Sequence, residues 1–385
     1  MIYADYNGSA PLHKNVREYL AKRILEGPYA NPNAIHSIGK KMIFGLEKCR
    51  RMCAQILGCH SGQIIFNSGS SEGISHIFHS LLDGKNPNDK KYIITSGIEH
   101  SAVVEACNYY AARGFEVYKV KTLNNGQIDI NDLKTFLDKN GNNTIMLSIM
   151  AANNETGVIQ PWQEVSSLCQ QYQIPFFSDT TQYIGKTEFN FEESGMDYAV
   201  LSGHKIGAMV GSGCIIAKDP STLSNFIFGG GQEKGKRGGT QNYLGAETLA
   251  VALDAFEKTK DHYKSLKEYR LEFEKNIKEA FPSVVIIGEE SPRLATTTLI
   301  SLPGVHGQAV QIELEAQDIF VTTSSACSDN QPETSKVLRS MGIEDVIGRG
   351  VVRISLCCSS TKDDYEKIES VLKDIYAKLT KIASF

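Results

Sequence analysis

The chain has 385 residues, 41% of them hydrophobic and 22% charged, with a formal net charge of -4. That length exceeds one typical core and calls for two or three domains, and the composition is that of an ordinary globular protein with enough apolar material for a sizeable core. The near-neutral balance, with no long basic run, argues against nucleic acid as the main partner, so no direct nucleic-acid binding is expected. Met1 to Asp5 lack the basic start and apolar core of a signal peptide, and no stretch approaches the roughly 18 apolar residues of a membrane span. The expectation is a cytoplasmic protein without a membrane partner. The 9 cysteines are odd in number, which in a long unexported chain speaks against a disulfide framework. Cys49, Cys53, Cys59 and His60 fit no paired Cys-x-x-Cys spacing. They read as half-buried helix cysteines and a neighbour, so no metal site is expected.

In chain order, a helical stretch at 43–57 precedes a short apolar strand at 63–66. Further strands are predicted at 91–95, 144–150, 175–178, 198–201 and 213–217, with helical patterns such as 101–113 and 162–172 between them. Continuous apolar strands separated by helices predict a mostly parallel sheet covered on both faces. A long helical stretch rich in Lys, Glu and Leu follows at 245–280 and reads as a connector. After it come strands at 284–287 and 296–302, a helix at 308–315, strands at 319–322 and 351–355, and an amphipathic helix at 362–382. That is a smaller α+β domain. There is no internal repeat and no flexible linker, so the two domains are expected to pack together.

Four loops follow predicted strands, where open parallel sheets bind ligands. Asn67-Ser68-Gly69-Ser70-Ser71-Glu72-Gly73 offers small residues and a helix start, which suits a phosphate, although Ser70 or Ser71 could equally be a plain helix cap. Glu99-His100 opens a helix, where a lone His is more often structural than catalytic. Asp179 in Ser178-Asp179-Thr180-Thr181-Gln182 ends a buried strand and calls for a cationic partner, or else caps the next helix. Lys205 in Ser202-Gly203-His204-Lys205 is placed to form an imine with an aldehyde. Each loop is ambiguous alone. Their order, phosphate cradle, His, Asp and Lys, matches the needs of pyridoxal 5'-phosphate on the aspartate-aminotransferase fold.

On these residues the chain resembles cysteine desulfurases of the NifS/IscS class, in the class V aminotransferase family. The resemblance runs from Tyr3-Ala4-Asp5-Tyr6 to about Ala377. It takes in Asn31-Pro32 with His36, Ser68-Gly69, Glu99-His100-Ser101-Ala102-Val103, Asn153-Asn154-Glu155-Thr156-Gly157, Asp179 to Gln182 and Ser202 to Lys205. It continues through Gly229-Gly230-Gly231-Gln232-Glu233, Arg237-Gly238-Gly239-Thr240, Ser324-Ser325-Ala326-Cys327 and Arg353-Ile354-Ser355. The resemblance implies a pyridoxal-phosphate-dependent transferase of fold type I, with a large, mostly parallel seven-stranded sheet domain over 15–255. A small α+β domain over 1–14 and 256–385 would carry a mobile cysteine loop. It implies that Lys205 holds the cofactor and moves the substrate's α-proton, Asp179 pairs with the pyridine nitrogen, and Gln182 bonds the ring oxygen. His100 would stack on the ring. Ser70, Ser71, Ser202 and His204 would hold the phosphate, and Thr240 would reach that of a partner subunit in a homodimer with shared sites. Asn154 and Arg353 would grip the carboxylate of L-cysteine. Cys327 would take the sulfur as a persulfide, release alanine, and pass the sulfur to an acceptor or scaffold protein. Iron–sulfur cluster assembly is one destination that such donors serve.

The chain departs from that pattern in three places. Ile206-Gly207-Ala208-Met209-Val210-Gly211 replaces a rigid basic turn after the lysine. Asn7-Gly8-Ser9-Ala10 replaces a run that usually ends Ala-Thr-Thr, and Gly238 stands where Ser is common. The pair Cys357-Cys358 has no counterpart in the expected roles. Competing readings are a selenocysteine lyase or other β-lyase on the same fold, and a degenerate homologue acting as a scaffold; intact Lys205, Asp179 and His100 argue against the last.

Overall fold

A strand of continuous apolar residues needs cover on both faces. The computed structural model of the protein, which describes residues 1–323 and 334–383, supplies it. Seven strands form one sheet. Across it they lie in the order Ile64–Asn67, Gly213–Ala217, Tyr198–Ser202, Phe176–Asp179, Thr144–Ser148, Tyr92–Ser96 and Glu116–Val120. Pairing is parallel from Tyr198–Ser202 to the Glu116–Val120 edge, and Gly213–Ala217 runs antiparallel to both its neighbours. Successive side chains point to opposite faces. Leu147 and Leu201 enter one core, with Leu46, Val165 and Leu249 of the covering helices Ser37–Leu57, Trp162–Tyr172 and Tyr243–Thr259. Their neighbours Met146 and Val200 enter the other, with Ile74, Phe78 and Val103 of helices Ser70–Leu82 and Ser101–Ala111. Phe78 and Phe177 are fully buried there, and Phe176 in the first core, each stabilising the fold by roughly 1.5–3 kcal/mol.

Six of these strands follow from apolar runs. Glu116–Val120 does not, because it is an edge strand whose Glu116 and Lys119 face solvent. The expected single helix at 245–280 is two, Tyr243–Thr259 and His262–Ala280. The first packs Leu249 and Leu253 against the large sheet, and the second turns Leu266, Phe273 and Ile277 into another core. Periodicity continues through the break while the partner changes.

That other core lies on a smaller antiparallel sheet, Val351–Ser355 beside Thr297–Ser301 beside Val285–Ile286. Helices His262–Ala280, Gly307–Glu315 and Lys362–Ala383 cover it. Ile2–Tyr3 pairs in parallel with Ile319–Phe320, so the N-terminus crosses to this part of the molecule. Ile98 and Met150 meet Leu299, Val337 and Val351 in a cluster joining the two parts.

One buried ion pair anchors the segment that leads to Thr240. Glu233, with φ of 47°, takes both terminal guanidinium nitrogens of Arg50 at 2.7 Å and the Phe66 N–H at 2.8 Å. Arg50 also donates to the Ile64 carbonyl and lies over the Phe66 ring. Removing one partner of such a pair strands a buried charge. Glu233→Gln is expected to lower unfolding free energy by about 3 kcal/mol, read as a shift in the urea midpoint at unchanged slope.

Candidate active site

Lys205 ends a tight turn, Gly203–Lys205, directly after the strand Tyr198–Ser202. Its Nζ donates to the carbonyls of Asn7 at 3.0 Å and Gly8 at 2.6 Å. Asp179 is the last residue of its strand and is buried. Its Oδ1 accepts the N–H and hydroxyl of Thr181. Thr181 Oγ1 lies 2.5 Å from Ser70 Oγ, and the Ser70 N–H donates to Ser202 Oγ at 3.0 Å. Three loops are thereby joined in one line: Asp179 and Thr181, Ser70, Ser202.

The start of Ser70–Leu82 has the shape of an anion cradle. Gly69 is its N-cap, at φ of 146°, and no side chain caps the helix. A Cβ there would stand 2.8 Å from Ser202 Oγ, so the close approach needs glycine. Glu72 is turned away from the cradle and takes the Arg237 guanidinium at 2.8 and 3.2 Å, with the Ser68 N–H at 3.0 Å. Burial pushes the Glu72 carboxyl up, but the hydrogen bonds from Arg237 and Ser68 hold it below its usual value. Ser71 is exposed beside the cradle. His204 Nδ1 lies 3.1 Å from Ser9 Oγ, and its pKa is lowered by burial, then by Lys205 and Lys186. These groups fit a phosphate: N–H donors, hydroxyls and a glycine leaving room, with the Glu72 carboxylate neutralised by Arg237 and Asp179 engaged by Thr181.

Gln182 is buried, with its amide donating to the Asn7 carbonyl at 2.9 Å and its oxygen accepting from Lys186. Lys186 Nζ also reaches Asn7 Oδ1 at 2.6 Å. Burial holds the Lys186 pKa well below its usual value, with Lys205 and Arg353 pushing the same way. Asn7 completes the knot. Its N–H donates to Ser355 Oγ at 3.0 Å, and its amide to the Asn154 carbonyl and to Thr297 Oγ1.

His100 caps Ser101–Ala111, its Nδ1 accepting the Ala102 N–H at 3.2 Å. Part of the ring faces solvent, yet the surrounding protein lowers its pKa, and Asp179 opposes that while Lys205 adds to it. The ring is therefore neutral near pH 7. Beneath it Glu99 is buried and accepts the Ser96 hydroxyl at 2.6 Å and the Met150 N–H at 3.0 Å. Burial pushes its carboxyl up to about 8.

The smaller part of the molecule contributes Arg353. It is buried, donating to Asp5 Oδ1 at 2.5 Å and to the Asn154 carbonyl at 2.9 Å, while its Nε has no partner among the described residues. Asn154 meets Arg353 through its backbone rather than its amide. Thr240 is exposed beyond the Arg237 anchor. Cys327 lies outside the described residues, between Thr323 and Thr334. The structure thus brings Lys205, Asp179, Ser70, Ser202, Gln182 and His204 together, with Arg353 joined through Asn7 and Asn154. Sequence reasoning overlooked Thr181, Lys186 and Asn7. Thr181 sits two residues after Asp179, a usual Asx-turn spacing, and Lys186 sits four after Gln182. Asn7 gave no sign beyond lying in a divergent run.

Residues 2–368 match the family described as aminotransferase class-V. A cysteine desulfurase IscS of Dictyoglomus turgidum is 32% identical over 100% of this chain and 96% of its own. Among solved structures, a NifS-like protein has a TM-score of 0.88 at 29% identity, covering 98% of this chain and 99% of the other. SspA, solved in complex with cysteine, has a TM-score of 0.78 at 28% identity, covering 94% and 100%. The fold is the α/β fold of the pyridoxal-phosphate enzymes of fold type I.

Two outcomes follow from the buried polar groups. Asn7→Ala removes three side-chain contacts and leaves Lys186 with one fewer acceptor; thermal unfolding is expected to show a loss of about 2 kcal/mol. Glu99 has a folded pKa raised above its unfolded value, so its stabilising effect is complete below about 4.5 and is lost as pH rises through about 8. Glu99→Gln stays neutral. Its stability relative to the parent is expected to climb with pH across that window, by at most about 1.4 kcal/mol per pH unit, in denaturation series at several pH values.

Proposed function

Because the chain belongs to the aminotransferase class-V family, whose members of this type depend on pyridoxal 5'-phosphate, we propose that it is a cysteine desulfurase, converting L-cysteine to L-alanine and an enzyme persulfide on Cys327. The observation that carries the reading is the convergence of Lys205, the buried Asp179 and the Ser70–Ser202 cradle at the carboxyl ends of adjoining strands.

Ser70, Ser71, Ser202 and His204 would hold the cofactor phosphate, with Thr240 serving the site of a partner subunit. Asp179 would face the pyridine nitrogen, Gln182 the ring oxygen and His100 the ring. Bound there, the cofactor supplies an electron sink that weakens the carbon–sulfur bond of L-cysteine. Arg353 and Asn154 would orient the substrate carboxylate, Arg353 through N–H groups that Asp5 and the Asn154 carbonyl leave free. Lys205 carries the α-proton. His100, whose Nδ1 is held by the Ala102 N–H, would present its Nε2–H to the reacting groups as a donor. The Cys327 thiolate then takes the sulfur, and alanine leaves.

In this reading the molecule divides at 14/15 and 255/256. Val16 to Leu253 sharing one core, joined from beyond the boundary by Leu294 alone among its buried members, with Ala4 and Leu266 to Tyr376 sharing another, supports that division. The protein acts as a homodimer in the cytoplasm and hands sulfur to an acceptor or scaffold protein, iron–sulfur assembly being the destination in keeping with its IscS-type relatives. No described helix is long and apolar enough to cross a membrane.

With L-cysteine, the purified protein is expected to release alanine in step with persulfide. Cys327→Ser should cut that by about 100-fold or more while keeping the cofactor absorbance, and Lys205→Ala should lose the absorbance of the lysine-linked cofactor. Undiminished alanine and sulfide from Cys327→Ser would replace this reading with a β-eliminating lyase.

A further inference from the structure

Behind the lysine turn lies a cavity of about 220 Å³ that shares Lys205 with the site described above but whose two cysteines the desulfurase reading does not use. Ala10 to Lys14 form one wall, Lys186 and Ile206 another, and Cys357 with Cys358 a third. The cysteines follow the strand that carries Arg353, and both are partly exposed. Donors converge on the first sulfur. Cys357 Sγ lies 3.0 Å from Ser359 Oγ and accepts the Ser359 N–H at 3.4 Å. Its Sγ also lies 3.9 Å from Ser360 Oγ, and the nearby Cys358 and Tyr6 favour its charged form. Cys358 in turn meets the hydroxyls of Thr259 and Tyr263.

Such a set of donors favours a thiolate. The neighbouring Cys358 is the largest influence on Cys357; with Ser359 and Tyr6 it outweighs burial and brings the thiol down to about 5. Burial pushes Cys49, Cys53, Cys59, Cys107, Cys169 and Cys214 the other way. The cavity also selects by charge. Lys14 and Arg17 stand on its rim, and no carboxylate lines it; Glu18, 3.9 Å from Lys14, lies outside.

We propose that Cys357 and Cys358 form a second thiol site, separate from Cys327, that reacts with small anionic sulfur electrophiles of the disulfide or polysulfide class. Cys357 is the nucleophile and Cys358 closes a vicinal disulfide. The Cys357 thiolate attacks one sulfur of the reagent's S–S bond, forming a mixed disulfide and releasing one thiolate. Cys358 gives its proton to solvent, attacks the Cys357 sulfur and releases the second. Two electrons pass from the cysteine sulfurs to the reagent, which leaves as two reduced halves.

The test uses cofactor-loaded Cys327→Ser protein, so that the desulfurase thiol takes no part and turnover is not the readout. Tetrathionate, small and doubly negative, is the probe. After acid quench, alkylation and trypsin, the 354–362 peptide is expected to have lost two hydrogens, to resist alkylation, and to recover with dithiothreitol. With Cys358→Ser added, the reaction should stop at a thiosulfate adduct on Cys357. With Cys357→Ser added, the peptide should stay unmodified. Neutral hydroxyethyl disulfide should react about tenfold more slowly. An unmodified peptide while other cysteines react, or an adduct formed equally fast on Cys358 in the Cys357→Ser protein, would overturn the site. Equal rates with both reagents would overturn its charge selection.

Discussion

The arrangement of this molecule turns on Asn7. Its N-terminal segment leaves the smaller sheet and passes between the two parts of the fold, and every polar group of Asn7 is used there. The N–H is held by Ser355 and the amide by Thr297 and Asn154, all outside the lysine turn. The carbonyl accepts from Gln182 and Lys205, and the side-chain oxygen accepts from Lys186. A single buried residue thus fixes the smaller sheet relative to the loops at the carboxyl end of the larger one. Buried polar groups are costly unless satisfied, so a residue satisfied from both sides resists displacement in either direction.

The same logic explains how so many cations coexist. Lys186 is buried, and Lys205 and Arg353 lie close enough to depress its pKa. The acceptors they meet are largely neutral: the carbonyls of Asn7, Gly8 and Asn154, and the side chains of Gln182 and Asn7. Neutral acceptors orient an ammonium group without tying it to a fixed negative charge, which keeps an amine easier to deprotonate than a carboxylate partner would. The buried carboxylate of Asp179 is engaged instead by Thr181. Through Thr181 and Ser70 it is linked to the cradle, so the anion-accepting end and the anionic end of the site hold each other in place.

What could be read from sequence follows from where the signals are local. Buried strands announce themselves as apolar runs, and a Lys, Asp or Gly-Ser turn at a strand's carboxyl end falls at the ligand side of the sheet by topology alone. Lys205, Asp179 and Ser70 were legible for that reason. Glu116–Val120 was not, because an edge strand half in water carries charge on its open face. The break between Thr259 and His262 was hidden because helical periodicity persists while the core it serves changes. Asn7 was hidden for a deeper reason. Its partners lie 147 to 348 residues away, and nothing in its neighbours announces them. Gln182 was legible as part of a motif, yet its bonds to Asn7 and Lys186 are set by tertiary structure.

Arg353 shows what this means for a carboxylate substrate. It belongs to the smaller sheet, while Lys205 belongs to the larger one, so their separation is a property of the junction and not of either core. Asp5 neutralises Arg353 from the same N-terminal segment that carries Asn7, two residues on. A second carboxylate approaching Arg353 therefore meets a guanidinium already partly satisfied, with one further N–H left on each terminal nitrogen. Such a carboxylate is recognised by direction more than by net charge, because Asp5 has already offset most of the attraction. The N-terminal segment thus sets both terms of that recognition. Asp5 fixes how strongly Arg353 attracts, and Asn7 fixes how far from Lys205 the attracted group comes to rest.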